Sequence, residues 1–147
     1  ATDEVANAFT GLSLSTFGGN PVSMAGAQAA PHVMEKENIP QKSGERGKQL
    51  RDALEAMKEK YDFIGDVRGM GLMQGVELVE NRRTKEPAPK KTARFMEASK
   101  RQGILVGKGG LYGNVLRIAP PMLISKQEVD DGIARLDKAF GEVKFHD

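Results

Sequence analysis

Phe63-Ile64-Gly65-Asp66-Val67-Arg68-Gly69-Met70-Gly71-Leu72-Met73-Gln74-Gly75-Val76-Glu77-Leu78-Val79 is the stretch that decides the fold. It reads as a strand over 63–68, a glycine-bearing turn at Gly69-Met70-Gly71, and a second strand from Leu72 to Val79. Such a pair needs a cover for its apolar face, and the sequence on either side supplies helices. Before it, Leu50, Ala53, Leu54, Met57 and Tyr61 recur at helical spacing, predicting a helix from Ser43 to Tyr61. After it, Glu80 to Pro89 is polar and carries two prolines, which predicts a loop. A helix over Lys90–Gln102 follows, with Ala93, Phe95 and Met96 inward and Gly103 as its stop.

Further on, Ile104-Leu105-Val106 and Val115-Leu116-Arg117-Ile118 read as short strands around a loop at 107–114. Ser125 and Glu128 form a capping box. It opens a helix with Val129, Ile133, Leu136 and Phe140 inward and Gly141 as its end. Towards the start of the chain, Asn20-Pro21 is a helix entry, because Asn caps well and Pro suits the first helical position. That helix is rich in small residues. Pro31 is expected to kink or break it near Ala27–Pro31, and Pro40 to close the segment. Residues 10–19 read as a loop, and 1–9 as the end of a helix. The order of elements predicts an α+β fold, a small mixed or antiparallel sheet covered by helices.

Composition bounds the function. A length of 147 residues suits one domain, and 39% hydrophobic with 29% charged residues suits a folded soluble chain. No apolar run approaches the ~18–20 residues of a membrane span, and no leader is visible, so an intracellular site, cytoplasmic or mitochondrial, is expected. The absence of cysteine excludes disulfides, thiolate metal sites and a cysteine nucleophile. His32 and His146 are the only histidines, which argues against a histidine-based metal site or triad. A net charge of +2 is too balanced to predict nucleic-acid binding. The basic run Arg82 to Lys91 is expected to be a solvated loop. The first residue is Ala1, so the chain is expected to have been cut from something longer.

Two glycine patterns, at 69–75 and 107–113, approach a dinucleotide fingerprint. Both run into strand-like sequence where that chemistry needs a helix N-terminus. Thr16-Phe17-Gly18-Gly19-Asn20-Pro21 combines a hydroxyl, two glycines and a helix start, the ingredients of an anion site and equally of a plain helix-entry loop. Arg117 lies in an apolar strand beside Pro120-Pro121. Its planar fork suits a carboxylate in a cleft, but strand alternation alone would also place it on a wet face. Arg68 is expected to make a local structural pair.

Three blocks in order, Thr16 to Pro21, Gly65 to Met73 and Leu116 to Pro121, resemble the C-terminal part of class III aminotransferases, pyridoxal-phosphate (PLP) enzymes of fold type I. Leu105 to Gly110 looks most like the alanine–glyoxylate group. The resemblance implies residues 1–38 as the end of the large domain with its phosphate-contact loop and connecting helix. It implies residues 39–147 as the C-terminal small domain. It gives Thr16 a hydrogen bond to the PLP phosphate across a homodimer, Phe17, Gly18 and Gly19 the shaping of that loop, and Arg117 the substrate carboxylate. Amino acids and 2-oxo acids are the implied substrates, with no metal, nucleic acid or membrane. The family's Schiff-base lysine lies upstream of the first block, and no lysine precedes Thr16 here. The resemblance therefore implies no catalytic residue in this chain and no transamination by it alone. The alternative is a stand-alone binding or regulatory module, or a basic interaction domain using Arg82 to Lys91.

Overall fold

The computed structural model describes residues 1–144. They divide into two compact units, residues 1–36 and the remainder from Glu37 onward. The first unit holds a short helix, α1 (Asp3–Asn7), and a longer one, α2 (Pro21–Lys36), neither with a buried residue. α2 runs unbroken through Pro31. Proline's fixed φ matches a helix and removes only one N–H, so the bonds on either side carry the segment through.

The second unit contains α3 (Ile39–Lys60), β1 (Ile64–Met70), β2 (Met73–Asn81), β3 (Glu86–Pro87), α4 (Pro89–Arg101), β4 (Gly107–Gly109), β5 (Val115–Ile118) and α5 (Lys126–Lys144). The sheet order is β1-β2-β5-β4, with β3 on β2, and every pairing is antiparallel. The fold is α+β as expected. Gly71, at φ 52°, opens the two-residue turn between Met70 and Met73 and lets the hairpin close tightly.

Alternation along the strands divides the sheet into two faces. Val67, Val76 and Leu116 stand in register and are buried against the helices. Leu50, Leu54 and Met57 of α3, Phe95 and Ala98 of α4, and Leu136 and Phe140 of α5 complete that core. Phe140 stacks at 4.3 Å on Phe95 and 5.6 Å from Tyr61. The Tyr61 hydroxyl donates to Asp137, which also receives Lys60 Nζ at 2.7 Å. Burial pushes the Asp137 carboxyl up, but these hydrogen bonds outweigh it and hold the group below its ordinary value.

The structure corrects further expectations. Pro40 begins α3 instead of closing the segment before it, because a first-turn N–H has no helical partner to lose. α5 passes Gly141 and ends at Lys144, drawn on by Val143, which is buried with Phe140. Ala93 is exposed; the inward face of α4 is Thr92, Phe95, Ala98 and Ser99, and the Thr92 hydroxyl is satisfied by Ala88 O at 2.9 Å. Ile104 to Val106 is not a strand; the strand there is β4, Gly107–Gly109, inside the expected loop. Arg82 is not merely solvated. Its guanidinium donates to the carbonyls of Lys58, Tyr61 and Ile64 and so ties off the end of α3. Gly103 does stop α4: at φ 73° it allows Gly103 N→Lys100 O and Ile104 N→Ser99 O, a complete Schellman closure.

Candidate functional site

The face of the sheet away from the core carries the charged residues. Arg68, Gly75, Arg117 and Gly107 lie opposite one another across β1, β2, β5 and β4. Arg68 is committed: its Nη1 reaches Asp66 and Glu77, each at 2.7 Å. Hydrogen bonding to Arg68 holds the Asp66 carboxyl below its usual value, and the two acids raise the guanidinium further. The expected local pair is therefore present. Arg117, on the same face, is exposed and makes no ion pair or hydrogen bond among the described residues.

Glycine surrounds Arg117. Its directly opposed residues are Gly75 on β2 and Gly107 on β4. Its stem leans over β4. A Cβ placed on Gly109 would sit 3.1 Å from Arg117 Cδ, and one on Gly107 would sit 3.3 Å from Nε. Arg117 stands on the outward face of the sheet, where its guanidinium has no partner among the described residues. An apolar cavity of about 510 Å³ opens among Leu50, Ile104, Ile118, Pro120, Ile124 and Leu136, and Arg117 does not line it.

In the first unit, the loop before α2 has a defined shape. Gly18 N donates to Ser15 O at 3.2 Å, closing a turn around Thr16 and Phe17. Gly19 has φ 73°. Asn20 caps α2, its Oδ1 accepting from Ser23 N at 3.0 Å while Nδ2 donates to Phe17 O at 2.8 Å. The Thr16 hydroxyl makes no hydrogen bond among the described residues, and Thr16 to Gly19 are exposed. A hydroxyl next to a helix N-terminus is a donor set suited to phosphate. Thr16 and Arg117 belong to different units. Among the described residues no cluster of three or more His, Asp or Glu could hold a metal, and no helix is long and apolar enough to cross a membrane.

The sequence profile of aminotransferase class III matches residues 1–140. The chain belongs to the class III aminotransferases. Alanine–glyoxylate aminotransferase 2 homolog 2, mitochondrial, of Arabidopsis thaliana is 42% identical over 143 residues, covering 97% of this chain and 30% of that protein. The 4-aminobutyrate aminotransferase of Escherichia coli K12 is 36% identical over 129 residues, 88% of this chain and 30% of the relative. Among solved structures, an aminotransferase from Bacillus anthracis superposes with a TM-score of 0.84 at 34% identity, over 95% of this chain and 34% of that one. A PLP-bound amine transaminase from an uncultivated Pseudomonas species gives 0.80 at 30% identity, over 89% and 30%. The chain thus spans about a third of the length of the class III aminotransferases it matches, and the family implies PLP.

Reading the sequence missed the glycine bed of Arg117. Gly107 and Gly109 lie in the block that resembles the alanine–glyoxylate group, in a stretch whose sequence reads as a loop. Their alternation, one residue apart with Lys108 between, was the available signal of a strand with one bare face.

Proposed function

We infer that this chain supplies the substrate-carboxylate contact and one phosphate contact of a PLP-dependent aminotransferase that acts on an amino acid and a 2-oxo acid. The observation that carries the reading is Arg117 on an outward sheet face, unpaired among the described residues, near an Arg68 that two carboxylates already hold. A planar guanidinium without an internal partner is poised for a bidentate carboxylate.

The residues present fit part of a PLP site. Thr16 offers a hydroxyl to the phosphate, Phe17, Gly18 and Gly19 shape the turn around it, and α2 directs its positive end toward the same loop. When bound, PLP supplies an electron sink for the charge left at the substrate's α-carbon. Arg117 would fix the substrate by its carboxylate, which orients the α-carbon for proton removal by a group outside this chain. Thr16 would act on the cofactor of a second subunit in a fold type I homodimer. Residues 1–38 would be the end of the large domain and 39–147 the C-terminal small domain.

The Schiff-base lysine is assigned outside residues 1–147. No lysine precedes Thr16, and Lys36, Lys42 and Lys48 stand in no matching motif. The full-length enzyme should therefore transaminate an amino acid with a 2-oxo acid in a PLP-dependent assay, and residues 1–147 alone should not. Turnover by the 147-residue chain would contradict this assignment.

A further inference from the structure

Arg117 sits in the sheet in an unusual way. A strand residue ordinarily has a side chain opposite it on each neighbouring strand, with Cβ atoms ~4.5–5.5 Å away. Here both opposed positions are glycine, Gly75 and Gly107. The consequences on the two sides differ. A Cβ on Gly75 would meet Arg68 O and Val115 Cγ1 at 3.6 Å and Arg68 Cγ at 3.8 Å, all ordinary contacts. On the β4 side, a Cβ on Gly107 would come within 3.3 Å of Arg117 Nε, and one on Gly109 within 3.1 Å of Cδ and 3.4 Å of Cγ. The arginine stem lies in the space those two missing side chains leave. Neither Gly107 nor Gly109 has a positive φ, so the backbone does not require glycine at either place. What a Cβ there would crowd is the stem of Arg117.

We propose that Gly107 and Gly109 are positioning residues that set the direction of the Arg117 guanidinium, and through it the affinity for the substrate's carboxylate. The inference rests on Arg117 being the carboxylate anchor. A methyl group at either glycine forces the stem to shift by a few tenths of an ångström. A bidentate pair tolerates such a shift poorly, because both N–H···O bonds must stay aligned at once.

The test is steady-state kinetics of the full-length enzyme with Gly107→Ala, Gly109→Ala and Gly109→Val, beside Gly75→Ala and Arg117→Ala. The two alanine variants at 107 and 109 should raise KM for the amino acid and the 2-oxo acid on the order of 3–10-fold, and Gly109→Val by more, since misplacement by ~1 Å can cost ~100-fold. The PLP dissociation constant, the melting temperature and kcat should stay close to the parent's, and Gly75→Ala should match the parent throughout. In an Arg117→Ala background, Gly109→Ala should add nothing. If the folded 107 and 109 variants keep the parent's KM while Arg117→Ala loses carboxylate affinity, the glycine bed has no positioning role and the inference is overturned. If Arg117→Ala itself leaves KM unchanged, the anchor reading fails, and the inference with it. Should Gly109→Val not fold, the two alanine variants decide the matter.

Discussion

Arg68 and Arg117, two identical side chains on one sheet face, meet different surroundings. Arg68 is held between Asp66 and Glu77, so its charge is answered inside the fold. Arg117 is answered by nothing among the described residues. The Asp66–Arg68 pair has a measurable signature. Because Arg68 lowers the Asp66 pKa, the folded chain binds that proton less readily than the unfolded chain does. The stabilisation is therefore complete above the ordinary carboxylate range and is lost as pH falls through the depressed value. Asp66→Asn should lower stability at pH 7 by less than ~1 kcal/mol, the pair being half exposed, and the gap should close on acidification. Urea denaturation between neutral and acid pH measures it; a gap that widens in acid would refute the assignment. At this scale Arg117 and Thr16 stand out as candidates because of their residue types and the Pro-Pro and Gly-Gly-Asn-Pro punctuation near them. The direction Arg117 faces was not legible, since an isolated strand pattern does not say which face of a sheet will be covered.

Between elements, a tight constraint is the approach of α3 to the β1–β2 turn. A Cβ on Gly47 would fall 2.1 Å from the backbone carbon of Gly71, which only a movement of the helix or the hairpin could relieve. Gly47→Ala should destabilise the chain by about 1–3 kcal/mol in spite of alanine's better helix propensity, and a stabilised variant in thermal melts would show that the contact is not as close as described. At the other end of α3, Arg82 satisfies carbonyls of Lys58 and Tyr61 together with that of Ile64. Arg82→Ala should cost about 1–2 kcal/mol, read from the same melts; no change would mean that water replaces the guanidinium without loss. The elements themselves were largely legible. The capping box is formed, with Ser125 N bonding Glu128 Oε2 at 2.8 Å and Glu128 N bonding Ser125 Oγ at 3.2 Å. The failures came where one residue permits two local structures. Proline both stops a helix and starts one, which decides Pro40. Glycine both ends a helix and is tolerated within one, and α5 continues through Gly141, where an added Cβ would lie 3.6 Å from the Tyr61 hydroxyl.

The whole chain is a folded α+β unit and a mostly exposed helical unit, together about a third of the class III relatives they match. Val5, Phe9, Leu12, Leu14 and Phe17 of the first unit are exposed apolar residues. Motif order made the family legible, because three separated blocks had to occur in sequence. Of the proposed site, the sequence offered two candidates from this chain, Thr16 for the cofactor phosphate and Arg117 for the substrate carboxylate. The measurement that bears most directly on the account compares the full-length enzyme with its Arg117→Ala variant, following KM for the amino acid and the 2-oxo acid beside the dissociation constant of PLP. Loss of a charge-assisted bidentate pair should weaken the carboxylate substrates by about 2–3 kcal/mol and leave PLP affinity within about twofold. Equal weakening of substrate and PLP, or no weakening of either, would contradict the role given to Arg117.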